Sequence, residues 1–117
     1  MNYIAMIALA AFAAAQPPAS KGSADLGKKI FTAKCTTCHG RDGKGVASMA
    51  KLFKVDPEKM NWTSSVNQGK TDAELKTTIT NGNGKMPSFK GKLSDGDMAN
   101  VIAFIRSLQA AAKGASN

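Results

Sequence analysis

The chain has 117 residues, with 16 Lys plus Arg against 8 Asp plus Glu and a formal charge of +8. That length suits one domain, about 100 to 200 residues being usual, and excludes a multidomain enzyme or a polytopic membrane protein. Hydrophobic content of 43% with 21% charged residues excludes an intrinsically disordered chain. Aromatic residues make up only 6% and much of the apolar fraction is alanine, so the core is thin and the domain needs a staple, a metal or a cofactor.

From the amino end, residues 4–15 read IAMIALAAFAAA, an apolar run of signal-peptide length. It is too short for a spanning helix, which needs about 20 apolar residues. Ala13, Ala14 and Ala15 supply the small residues of a cleavage site, so residues 1–15 are expected to be a cleaved leader and 16–22 a flexible linker. No Lys or Arg precedes the run, which leaves an uncleaved anchor as the alternative. Every charged side chain then falls in the exported body, and the positive excess there attracts acidic partners. The lysines are scattered from Lys21 to Lys113 with little aromatic interleaving, and no nucleic-acid recognition module is recognisable, so no nucleic-acid binding is expected.

A first helix is predicted from Ser23 as N-cap to Lys34. Leu26, Ile30 and Phe31 fall on one side, and Gly27 allows close approach of another helix. Next comes Cys35-Thr36-Thr37-Cys38-His39, the C-x-x-C-H pattern that attaches a c-type haem. Two thiols add across the haem vinyl groups as thioethers, and the adjacent imidazole is held beneath the iron as proximal ligand. His39 is the only histidine, so that assignment has no competitor. Three rivals are weaker. A thioredoxin-like pair needs alternating strands and helices, a structural zinc wants four ligands, and a plain disulfide leaves the histidine incidental.

A second axial ligand must then come from a methionine. Met49 is only ten positions beyond His39, Met60 sits in a short helical turn with Pro57, Glu58, Lys59 and Asn61, and Met98 lies on an amphipathic helix. Met86 is different, because Asn81-Gly82-Asn83-Gly84-Lys85-Met86-Pro87-Ser88-Phe89 is an irregular loop whose glycines allow close backbone approach. Its bland alternative is a loop hydrophobe filling a gap. Trp62 reads as a haem-pocket wall or a propionate donor, with plain packing as the alternative. Thr71-Asp72-Ala73-Glu74 has the form of a capping box opening a helix with Leu75 and Ile79 inward and Gly82 past its end. Ser94-Asp95-Gly96-Asp97 opens the last helix, where Met98, Val101, Ile102, Ile105 and Leu108 make one apolar stripe. That stripe is expected to cross the first helix near Gly27 and Phe31. No segment reads as a strand.

Taken together, Cys35-Thr-Thr-Cys-His39-Gly40, Asp42-Gly43-Lys44-Gly45, Lys85-Met86-Pro87-Ser88-Phe89, Leu93-Ser94-Asp95 and Phe104-Ile105-Arg106-Ser107-Leu108 resemble a class I c-type cytochrome. The likeness is to small soluble bacterial cytochromes c and to the c-type domains of terminal oxidases, and it covers about residues 23 to 112. It implies an all-α cytochrome c fold, three to four helices around one covalently attached haem c with its iron, the N- and C-terminal helices crossing. It also implies His39 and Met86 as axial ligands. One departure stands out: such cytochromes often carry a proline about ten residues after the histidine, whose carbonyl accepts the ring N–H, whereas this chain reads Val46-Ala47-Ser48-Met49-Ala50-Lys51.

The expectation is therefore an exported, periplasmic carrier of single electrons between acidic redox proteins, a monomer rather than an enzyme, with the domain over 23–112 and a flexible tail over 113–117. It would touch a membrane only through partner complexes or an uncleaved leader. Two alternatives remain open: a gas- or peroxide-binding haem protein with Met86 absent from the iron or labile, and a fixed subunit of a larger oxidoreductase.

Overall fold

A computed structural model describes residues 22–115; the leader expected over 1–15 and all but the last residue of the expected linker lie outside them. The described chain is helical, in the order α1 (Ala24–Lys34), α2 (Thr36–His39), α3 (Ala47–Phe53), α4 (Pro57–Met60), α5 (Ser65–Gln68), α6 (Asp72–Asn81) and α7 (Asp95–Ala115). Three of these are long, and α2, α4 and α5 are single turns that bend the chain between them. Among the described residues the only β-type pairing is an isolated bridge between Asn83 and Met86.

Helix starts follow from local chemistry. The Ser23 hydroxyl accepts the Leu26 N–H, satisfying a donor that a helix start otherwise leaves open. At α6 the capping box is complete: Thr71 Oγ1 accepts the Glu74 N–H and the Glu74 carboxylate accepts the Thr71 N–H, each at 3.1 Å. Before α7, Ser94 and Asp97 exchange the same pair of bonds. That helix continues to Ala115, beyond the domain end expected at 112.

The core lies where α7 crosses α1. Val101, Ile102 and Ile105 are buried together with Phe31, Leu75 and Ile79, and the Phe31 and Phe104 rings meet edge to face at 5.1 Å, an arrangement aromatic quadrupoles favour. A Cβ on Gly27 would overlap the Asn100 carbonyl, so this position sets how closely the two backbones approach. The Asn100 side chain also accepts the Ser23 N–H at 2.8 Å, fixing the start of α1 on α7. The expected crossing is therefore present, with one correction: Leu26 is 50% exposed. Gly27 and Phe31 define the face turned to α7, and Leu26, about 100° round the helix from Gly27, falls outside it.

Candidate haem site

His39 ends α2 and is only 9% exposed. Its Nδ1 lies 2.7 Å from the carbonyl oxygen of Met60. Because a carbonyl can only accept, the proton belongs on Nδ1 and the lone pair on Nε2, and Nε2 takes no hydrogen bond from any described residue. Burial pushes the imidazole pKa down, with the Met60 carbonyl partly opposing it, so the ring is kept neutral and able to bind a metal. The Trp62 ring lies 5.1 Å from the His39 ring and the Phe31 ring 6.4 Å away, walling it with apolar surface. Trp62 is 4% exposed.

Cys35 is the N-cap of α2 and Cys38 lies within it, both unpaired and half-buried. Burial pushes the Cys35 thiol up to about 11, against a small opposing pull from Lys34, so it is a thiol at neutral pH. After Gly40 the chain doubles back, with the Gly45 N–H donating to the His39 carbonyl at 2.7 Å and the Val46 N–H to that of Cys38 at 2.9 Å. The Gly43 carbonyl in this loop accepts the Trp62 N–H at 2.8 Å.

In the segment carrying Met60 and Trp62 the N–H groups of Lys59, Met60, Asn61, Trp62 and Ser64 donate to main-chain carbonyls, whereas its own carbonyls are taken up largely by side chains. Every carbonyl from Glu58 to Thr63 accepts a side-chain donor: Ser64 at Glu58, Asn67 at Lys59, His39 at Met60, Asn67 again at Asn61, Gln109 at Trp62 and Gln68 at Thr63. Gln109 is itself held by Arg106, whose guanidinium also reaches the Asp72 carboxylate at 2.9 Å and the Lys70 carbonyl at 2.6 Å.

Met86 is half-buried and packs on the same apolar cluster as Trp62 and Phe31. Its loop is a tight reversal in which Asn83 and Met86 exchange both backbone bonds. Beyond it the Ser88 hydroxyl donates to the Thr80 carbonyl and the Phe89 N–H to that of Ile79, so the loop is stapled onto the end of α6. Of the other methionines, Met98 is buried on α7 and accepts the Thr80 hydroxyl, while Met60 is buried at the end of α4. Among the described residues no three His, Cys, Asp or Glu side chains converge as a metal cluster, which leaves the zinc alternative without a site.

The family model described as "Cytochrome C oxidase, cbb3-type, subunit III" matches residues 22–105. Cytochrome c6 from a Picosynechococcus species is 36% identical over 104 residues, covering 87% of this chain and 87% of the relative. Cytochrome c6 from a Synechocystis species is 40% identical over 85 residues, covering 71% and 65% of the two chains. Among solved structures, cytochrome c6 of the diatom Phaeodactylum tricornutum superposes with a TM-score of 0.58 at 32% identity, over 77% of this chain and 98% of that one. The chain belongs to the class I c-type cytochromes. It is an electron carrier acting between redox partners, not an enzyme, and membership brings one covalently attached haem c with its iron.

The residues present suit that group. Two unpaired thiols lie three residues apart on one helical turn, and the adjoining neutral imidazole offers Nε2 while its other nitrogen is engaged. Apolar rings line the approach. Sequence reasoning about the cytochrome left the acceptor of the His39 N–H unassigned because a proline was absent, and the structure supplies the Met60 carbonyl instead. Asn67 and Gln109 were not singled out at all. The one available signal was their position: Asn67 lies within a polar run, and Gln109 falls four residues after Ile105 on the buried stripe of α7.

Proposed function

We propose that Cys35 and Cys38 hold the haem through thioethers, that His39 Nε2 and the Met86 sulfur are the axial iron ligands, and that Trp62 walls the pocket on the histidine side. The haem supplies the redox couple, its iron gaining or losing one electron. The protein's own residues do the rest. Met60 holds the imidazole N–H, which fixes the ring and strengthens the donor at Nε2. Trp62 and Phe31 exclude water, and the staple from Ser88 to Thr80 restrains the loop that carries Met86. A thioether ligand opposite histidine raises the reduction potential. The observation that carries this reading is the buried His39 with Nδ1 committed to Met60 and Nε2 free, next to the unpaired Cys38 and one turn from the unpaired Cys35.

We further propose that residues 1–15 are removed, that the mature domain works outside the cytoplasm as a monomer, and that its partners are acidic redox proteins. Among the described residues no helix is long and apolar enough to cross a membrane. All described lysines except Lys70 are exposed, and only Lys76 among them sits in an ion pair, with Asp95, so most of the positive surface is uncompensated and available for steering.

The deciding experiment is a visible spectrum of protein exported in a host that attaches c-type haem, recorded oxidised, reduced and reduced with CO. Sharp reduced bands unmoved by CO, with a weak long-wavelength ferric band that Met86→Ala abolishes, are expected. A CO-shifted spectrum of the unaltered protein would make Met86 labile and favour gas binding. The mass of the exported protein reads the leader, a chain beginning at Gln16 being expected. The description of the matched family, an oxidase subunit, favours a second reading in which the domain is a fixed subunit; co-purification with an oxidase through high salt would select it.

A further inference from the structure

We infer that Asn67 is a positioning residue for His39, acting through the peptide that accepts the ring N–H. This rests on the reading of His39 as an iron ligand. Asn67 is 1% exposed, and its Nδ2 donates to the Asn61 carbonyl at 2.7 Å and to the Lys59 carbonyl at 3.3 Å. Those two carbonyls bracket that of Met60, which His39 uses. Both partners can only accept, so the orientation of the amide is fixed by chemistry. Asn67 is held in turn at its own backbone, its N–H donating to the Ser64 hydroxyl that also bonds the Glu58 carbonyl.

The consequence follows from where that peptide lies. Met60 ends a single-turn helix whose one closing bond, Asn61 N–H to the Pro57 carbonyl at 3.1 Å, is the only main-chain bond from the N–H of the peptide that carries the Met60 oxygen, and no long helix or sheet adds to it. Asn67 spans the bond on either side of it and so limits rotation of the peptide planes at Met60. With the span cut, the Met60 oxygen swings and the bond to Nδ1 lengthens. A weaker bond there makes the imidazole a poorer donor at Nε2, which disfavours the ferric state and raises the midpoint potential. A residue that merely satisfied buried carbonyls would affect stability and nothing else.

The test uses the haem-loaded protein with Asn67→Ala and the similarly branched Asn67→Leu, beside Leu75→Ala as a destabilised control whose site lies on α6. Both Asn67 variants should raise the midpoint potential, and the His39 ring proton, followed by NMR in the ferrous state, should exchange about fivefold faster, as expected for loss of one hydrogen bond's net stabilisation. Leu75→Ala should lose stability and leave both readouts alone. Unchanged potential and exchange in the Asn67 variants overturn the inference. Should neither variant hold haem, exchange in the unaltered protein decides: the His39 ring proton and the Asn67 side-chain amide must open together as denaturant is added, and a faster separate route for the ring proton overturns it. A ferrous spectrum lacking the shifted Met86 resonances would instead fail the ligand reading, independently of Asn67.

Discussion

Gly27 of α1 and Asn100 of α7 meet backbone to backbone, with no room for a Cβ between them, and the Asn100 side chain reaches across to the Ser23 N–H. One contact therefore sets both the distance between the terminal helices and the register at which α1 starts. Since α1 runs directly into Cys35, this contact also fixes where the turn from Cys35 to His39 begins.

Gly27→Ala must part the helices or displace Asn100, and overpacking of this kind costs about 1–3 kcal/mol or more. The urea midpoint should fall clearly while the spectrum of the surviving folded protein stays unchanged. A midpoint equal to that of the unaltered chain would mean that the helices slide freely at this crossing.

Gln109 links the C-terminal helix to the pocket wall. Its Nε2 donates to the Trp62 carbonyl at 2.8 Å and its Oε1 accepts from Arg106. Gln109→Leu keeps the volume but leaves a buried carbonyl and a guanidinium N–H without partners, a loss of about 1–3 kcal/mol. Arg106→Lys should cost less, because a lysine can still reach the Asp72 carboxylate. Thermal melts followed by circular dichroism give the order of the two.

These two cases mark what the sequence could show. Ser23, Thr71 with Glu74, and Ser94 with Asp97 were legible because capping is settled within four residues. The α7 stripe was legible because burial on one face imposes a period. The acceptor at His39 was not, since it is a backbone carbonyl 21 residues away and any residue type carries one. Asn67 was hidden for the same reason: its partners are main-chain atoms, and its burial depends on the path of a segment without periodicity. Leu26 was misplaced because a three-or-four spacing leaves the edge of a helix face undefined until the partner helix is known.

Acid should weaken the start of α6. The Glu74 pKa is held below its ordinary 4.5, chiefly by the Thr71 backbone N–H and then by the Thr71 hydroxyl. A depressed carboxylate contributes stability that is complete above its unfolded pKa and disappears as pH falls through the lower folded value. Glu74→Gln keeps an acceptor for the cap but cannot titrate, so its melting temperature should fall less than that of the unaltered protein between neutrality and about pH 3. Parallel acid curves for the two would remove Glu74 from the acid response.

Electron transfer to an acidic partner should slow as salt is raised, since exposed charges are screened beyond about 10 Å at 0.1 M ionic strength. Lys85 is exposed beside Met86, so Lys85→Glu should reduce the bimolecular rate at low salt by up to about tenfold. At high salt the two rates should converge. Stopped-flow mixing with an acidic acceptor at several ionic strengths reads both effects, and a rate indifferent to salt would dissociate the lysines from encounter.

The loop glycines separate fold from ligation. Gly82 has φ 74° and ψ 179°, a region open in practice only to glycine and costly by about 1–3 kcal/mol for other residues. A Cβ there would also come within 2.5 Å of the Met86 oxygen and 2.8 Å of the Ser88 nitrogen. Gly82→Ala should therefore push the Met86 loop off the end of α6 while α1 and α7 stay crossed. The weak long-wavelength ferric band should vanish and the reduced protein should bind CO at neutral pH, with helical content nearly unchanged. Gly84→Ala is the matched comparison, because its Cβ would meet nothing within 4 Å, and it should retain the band at a small cost in stability. If Gly82→Ala keeps the band and resists CO, the sulfur on the iron does not come from this loop, and one of the remaining methionines must supply it.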